Sequence, residues 1–202
     1  MARTQQQRRE ATVARLLDAS IDTIADVGYG RASAAVITKR AGMSVGALFR
    51  HFDTMGDFMA ATAHEVLRRQ LDAFTKQVAD IPTDQHALEA ALQILRQETL
   101  NSTNAVLYEL MIAARTDDKL RNTLNEVLEQ YRAKILDIAL VVLGSEGFPE
   151  EIIPVIVATL MNIFVSAAVI RAVLPQPEIE DQQIPLLMSL LSRKNQQSGS
   201  AG

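Results

Sequence analysis

The chain has no cysteine and no tryptophan, and aromatic residues make up only 4% of it. Without thiols it forms no disulfide, no thiolate metal site and no cysteine nucleophile, a composition that fits a reducing cytoplasm. Proline is sparse, at positions 82, 149, 154, 175, 177 and 185 only, and strand-like alternation of apolar and polar residues is missing. The opening residues, Met1-Ala-Arg-Thr-Gln-Gln-Gln-Arg-Arg, are polar and basic, with no apolar stretch of signal-peptide character behind them. Histidines stand scattered at 51, 64 and 86. No Glu-x-x-His pair, phosphate-binding glycine loop, Gly-x-Ser-x-Gly elbow or His-Glu-x-x-His motif is expected to accompany them. These absences argue against an enzyme and predict neither metal nor cofactor.

What is present is a charge imbalance and a helical pattern. The net charge of −4 is unevenly spread: residues 1–52 hold eight basic groups against four acidic, and the other 150 hold twelve against twenty. A cationic head on an acidic body implies an anionic partner for the head. Val13, Leu16, Leu17, Ser20, Ile21 and Ile24 follow the spacing of one buried helical stripe, which Gly28 stops. Ser33 caps a second helix ending at Gly42, and Ser44 caps a third running to about Phe52. A fourth is predicted from Asp53-Thr54 to about Val78. The break at Ile81-Pro-Thr-Asp84 follows, and Thr83 caps a fifth helix carrying Leu88, Leu92 and Leu95. A sixth is expected over 103–114, a seventh over 119–142, and an eighth that Pro175 and Pro177 end after Leu174. The ninth covers 184–192, with Pro185 in its first turn. The fold class is all-α, with about nine helices.

Residues 33–52 have the parts of a helix-turn-helix. Ala34, Ala35 and Ala41 are small where two helices must cross, Gly42 permits the turn, and Ile37, Leu48 and Phe52 can lock both helices onto the first. Paired short helices of this kind also occur in all-α proteins that never touch DNA. The run Leu16-Leu17-Asp-Ala-Ser-Ile21, then Gly28-Tyr29, then Ile37-x-x-x-Ala41-Gly42-Met-Ser44-x-Gly46-x-Leu48-Phe49-x-His51-Phe52 resembles the DNA-binding domain of the TetR (tetracycline-repressor) family. The likeness is close over residues 8–67 and looser beyond, where Ala113-Ala-Arg-Thr-Asp-Asp-Lys-Leu120 and the helix pattern resemble family regulatory domains.

The resemblance implies a helix-turn-helix DNA-binding domain over 8–67, a ligand-binding and dimerisation domain over 68–195, and a disordered tail over 196–202. It implies a homodimeric, nucleoid-associated bacterial repressor. Such a protein binds a palindromic operator in double-stranded DNA and is released from it by a small-molecule effector. Carried over by position, Ser44, Val45, Gly46 and Ala47 begin the recognition helix, Gly46 lets the backbone approach DNA, and His51 sits beside a phosphate. Ser33 and Ala34 set the second helix against the opposite phosphate strand. Lys39 and Arg50, with Arg31, are further cationic candidates on the charge argument. The family often has lysine, tyrosine and lysine where this chain has Val45, Phe49 and Met55, so three phosphate contacts are replaced. Affinity then leans on Arg3, Arg8, Arg9 and Arg50, or Val45 and Ala47 meet thymine methyls. The alternative is a family-like protein that binds a ligand or partner and has lost its operator.

Polar residues set within apolar runs mark candidate effector contacts: Tyr108 and Met111 first, then Arg96, Tyr131 and Asn162. The eighth helix is apolar on nearly every side. It is long enough to span a membrane but is better read as a buried interface, so no membrane partner is expected. Thr159, Ile163, Ser166, Ala167 and Ile170, with Leu187, Leu190 and Leu191 on the ninth helix, are the predicted dimer contacts.

Overall fold

A computed structural model describes residues 4–81 and 87–198. Arg3, the predicted cap Thr83, His86 and the tail positions 199–202 lie outside the described residues. Among the described residues there are nine α-helices and no strand. They are α1 (Gln5–Val27), α2 (Ala34–Arg40), α3 (Val45–Leu48), α4 (Met55–Ala79), α5 (Ala87–Thr99), α6 (Ser102–Ala113), α7 (Asp118–Ser145), α8 (Ile153–Arg171) and α9 (Pro177–Ser198). Short 3-10 turns at Tyr29–Arg31 and Glu150–Ile152 precede α2 and α8.

The chain packs as two units. One comprises Met1–Arg69 and Ser102–Tyr131, the other Gln70–Asn101 and Arg132–Gly202. The α6 helix and the first half of α7 therefore join the N-terminal helices, a grouping that no local periodicity announces. In the first unit α1 turns Leu16, Ile21 and Ile24 inward against α2 and α6. Ile37, Leu48, Phe58, Val66, Val106, Leu110 and Leu120 complete this core. Burial of each such side chain contributes about 1.5–3 kcal/mol. A hydroxyl pair, Thr62 donating to Ser20 at 3.0 Å, satisfies two buried polar groups between α1 and α4.

In the second unit α5 packs on α8 and α9, with Leu88, Leu92, Leu143, Ile153, Leu160, Phe164 and Ile184 buried. The start of α9 differs from expectation: it begins at Pro177, seven residues before the predicted 184. A proline at the first helical position loses no hydrogen bond, since that amide would be an orphan anyway. The Gln176 carbonyl accepts the Ile179 and Glu180 amides at 3.1 and 2.9 Å, and the Glu180 carboxylate accepts the Gln176 amide and pairs with Arg171 at 3.0 Å. Pro177 thus opens a helix rather than ending one, and Pro185 lies within it. The helix also continues through 196–198, which the sequence reading assigned to a tail.

Candidate functional site

The helix-turn-helix is fixed by a few backbone and hydroxyl contacts. Ser33 Oγ accepts the Val36 amide at 3.4 Å, and Ser44 Oγ accepts the Ala47 amide at 3.2 Å. Between these caps Gly42 takes a φ of +62°, the left-handed conformation that a side chain disfavours. The Met43 amide then donates to the Thr38 carbonyl at 2.8 Å and closes the turn. Helix α3 is shorter than expected, since 49–51 form a turn rather than a continued helix. Phe52 nonetheless packs on Phe58 with ring centroids 4.9 Å apart.

Contrary to the expectation that no such motif occurs, residues 42–46, Gly-Met-Ser-Val-Gly, have the Gly-x-Ser-x-Gly spacing of a hydrolase elbow. That elbow needs a strand leading into a helix, with the serine exposed. Here the segment joins two helices and Ser44 is occupied as a cap.

Of the predicted contact residues, Ser33, Lys39, Ser44, Val45, Gly46, Phe49 and Arg50 are exposed, and Ala34, Ala47 and His51 are half-buried. Lys39 and Arg50 make no side-chain hydrogen bond or ion pair among the described residues, whereas Arg31 bonds the Val27 carbonyl at 2.7 Å and Arg40 pairs with Asp26. His51 has a buried Nδ1 with no hydrogen-bond partner among the described residues. Sequence reasoning missed Val36. It is exposed, as are Val45 and Phe49 (44% accessible), so three sizeable apolar side chains on this motif face solvent. The signal was there: Val36 directly precedes the buried Ile37 and so lies off the inward face of α2.

Arg8, Arg9, Arg50 and His51 border one open groove of this unit, with Glu65 and Arg68 on its α4 wall. Hydrogen bonding to Arg68, with Arg69 adding to it, lowers Glu65 to about 2, so it is ionised at neutral pH and neutralises that wall.

Two polar contacts from the 102–131 segment bracket the motif. On its N-terminal side the Tyr29 amide donates to the Glu109 carboxylate at 2.5 Å, and a Cβ at Gly28 would lie 3.2 Å from the same oxygens. On the other side Lys119 Nζ donates to Thr54 Oγ1 at 2.9 Å and lies 3.4 Å from Asp57. Thr54 in turn caps α4 by accepting the Asp57 amide at 3.1 Å. Glu109→Ala strands the Tyr29 amide and is expected to cost about 1–3 kcal/mol in thermal unfolding. Glu109→Gln, which keeps an acceptor, should recover most of that loss; equal losses in the two variants would show the bond to be unimportant.

The second unit holds a cavity of about 50 Å³ walled by Phe74 of α4 and by residues of α5, α7 and α8. None of the five predicted effector residues lines it. Tyr108, Met111 and Tyr131 belong to the first unit and Arg96 and Asn162 to the second. Burial pushes the Tyr108 hydroxyl up to about 12, Met111 is exposed, Tyr131 is buried, Arg96 pairs with Asp181 at 2.7 Å, and Asn162 is exposed.

Glu150–Arg171 is long and apolar enough to cross a membrane, yet only 22% of its most apolar window is buried. Of the predicted interface residues, Thr159, Ser166, Ile170 and Leu190 are exposed, and Ile163, Ala167, Leu187 and Leu191 are half-buried. Ile170 is 54% and Leu190 56% accessible, and Val155, Val173 and Leu186 are exposed as well.

A capped helix pair joined through a left-handed glycine, with Lys39 and Arg50 exposed beside it, has the build of a helix-turn-helix, and the comparisons decide what class of protein carries it. The profile of "Bacterial regulatory proteins, tetR family" matches residues 16–62. An HTH-type transcriptional regulator of Mycobacterium tuberculosis strain H37Rv is 72% identical over 192 residues, covering 95% of this chain and 98% of that protein. The chain belongs to the tetR family of bacterial regulatory proteins. Among solved structures, a transcriptional regulator from Rhodococcus sp. RHA1 is 25% identical with a TM-score of 0.63, covering 88% of this chain and 96% of its own. FadR of Bacillus subtilis, in complex with stearoyl-CoA, shares the fold at 17% identity and a TM-score of 0.62, covering 89% and 95%.

Proposed function

We propose that this regulator is a homodimeric repressor that occupies a palindromic operator and leaves it when a small molecule binds the 68–195 segment. It would act in the cytoplasm, on the nucleoid. The observation that carries the reading is the outer surface of the helix-turn-helix. There Lys39 and Arg50 are unengaged among the described residues, and Val36, Val45 and Phe49 are exposed. Cations neutralise phosphates, and apolar side chains on a groove-entering helix meet thymine methyls. Apolar contact at Val45 and Phe49 replaces the polar contacts that family members often make there. Ser33, Ala34, Ser44, Gly46, Ala47 and His51 complete the proposed contact set.

The exposed faces of α8 and α9 support a two-fold partner, since such apolar surface is unusual on a lone soluble chain. Two reading heads related in this way match grooves about one DNA turn, roughly 34 Å, apart. Helix α4 follows directly on the motif and runs on into the second unit. Ligand binding that tilts α4 would change the spacing of the two heads and release the operator.

A mobility shift with the promoter regions flanking its own gene tests the reading. A retarded band at low salt that a native effector abolishes supports it; no preference for any such fragment defeats it in favour of a ligand-binding relative that has lost its operator. Within that assay Arg50→Ala is expected to weaken binding to all sequences alike and to reduce the salt slope by about one. An unchanged slope would remove Arg50 from the phosphate contacts.

A further inference from the structure

We infer that the cavity of the second unit is a binding site for a slender, uncharged alkyl chain. Four helices wall it: Phe74 comes from α4, Leu88, Ala91, Leu92 and Leu95 from α5, and the rest from α7 and α8. The α5 residues keep the i, i+3, i+4, i+7 spacing of one helix face, and Ile135, Ile138, Ala139 and Val142 do the same on α7. Both stripes carry large aliphatic residues except at Ala91 and Ala139. A leucine at either position would take up the space, and these two alanines keep it open.

The chemistry of the wall selects the ligand. Among the described residues no lining side chain carries a charge or a hydrogen-bonding group, so a carboxylate, ammonium or hydroxyl drawn inside would give up water without gaining a side-chain partner. Water itself needs two or more polar partners and finds none on these side chains. The space of about 50 Å³ is well below the roughly 150 Å³ of an apolar cavity that takes benzene, so as it stands it admits the end of a chain and not a ring. Phe74 is the one aromatic residue of the wall among the described residues, and it offers no sandwich for a flat polycycle. Met161, flexible and polarisable, can yield to lengthen the space along a chain. A polar headgroup would remain outside the cavity, so an alcohol and a fatty acid are equivalent to it.

Binding of the chain stands on the cavity alone; its role as effector rests on the repressor reading. Both are tested on the full-length protein with methyl-labelled Ala, Ile, Leu and Val, titrated separately with 1-octanol, octanoate and naphthalene. The expected result is saturable shifts at Ala91, Ala139, Leu92 and Ile135 with one or both alkyl compounds, little change at the exposed Val155 and Val173, and no response of the wall to naphthalene. The octanol and octanoate arms separate a neutral from an anionic head. Ala139→Leu should weaken alkyl binding at least tenfold while raising the melting temperature, and Ala91→Leu serves if that variant does not fold. Shifts confined to exposed methyls, undiminished affinity in a folded filled variant, or stronger binding of naphthalene would overturn the inference. Operator release is read separately by mobility shift. Alkyl binding without release would leave the site in place and remove its regulatory role, and a protein that binds no operator still has its cavity decided by the methyl signals.

Discussion

Gly42→Val is expected to lower the stability of the protein by about 2 kcal/mol or more and to abolish operator binding. The reason is local. A φ of +62° costs an ordinary side chain about 1–2 kcal/mol, and a β-branched one more. The added Cβ would also lie 2.9 Å from Arg15 Nη2, although the end of a flexible arginine can move aside. Strain in the turn is therefore the larger effect, and relaxing it would misalign α2 and α3. Gly42→Asn, which tolerates this conformation, should keep most of the stability. Gly46→Ala is the complementary case. Gly46 lies within α3, and a Cβ there meets only Ser44 Oγ, at 3.9 Å. Stability should hold or rise by about 0.5–1 kcal/mol while operator affinity falls, because in the proposed contact the methyl group would occupy space that the backbone needs against DNA. Thermal unfolding beside a mobility shift separates the two. Equal melting temperatures for the valine and asparagine variants at 42 would refute the strain argument.

Glutamate at Ile170 and Leu190 together is expected to leave a folded monomer whose operator affinity has fallen roughly a hundredfold or more. Both side chains are more than half accessible in the single chain, so the substitutions remove little of its own core. In a two-fold interface, however, each change appears twice and places unpaired carboxylates in apolar surroundings. The loss at the operator follows because two heads held together bind with an effective concentration that separate heads lack. Sedimentation velocity and circular dichroism check the assembly and the fold. A double variant that stays dimeric would show that the partner sits elsewhere. The same change at Leu160, which is buried, would test only the core.

Much of this was legible in the residues because the signals were local. Ser33, Gly42 and Ser44 each fix their own neighbourhood through a cap or a left-handed turn, and the structure places all three as read. Helix periodicity likewise located α1 and α4, whose buried stripes need no knowledge of their partners. What failed to show was tertiary. Pro177 looks the same whether it ends one helix or starts another, and only the contacts of Glu180 with Gln176 and Arg171 decide the matter. The cavity was invisible for a related reason: polar residues in apolar runs drew attention to Tyr108, Arg96 and Asn162, whereas the space is bounded by residues with nothing polar about them. An absence of bulk, as at Ala91 and Ala139, leaves no mark in a pattern of hydrophobicity.

The bracketing of the motif by Glu109 and Lys119 bears on how such regulators can be recombined. A hybrid that transplants residues 8–67 onto another member's body would discard both partners. It would also uncover the surface against which Val106, Leu107 and Leu110 are buried. A chimaera that carries residues 102–131 along with the N-terminal helices keeps these contacts in register. The transferable module is thus discontinuous in the gene, and swaps made at a single junction should yield proteins that are unstable before they are unspecific.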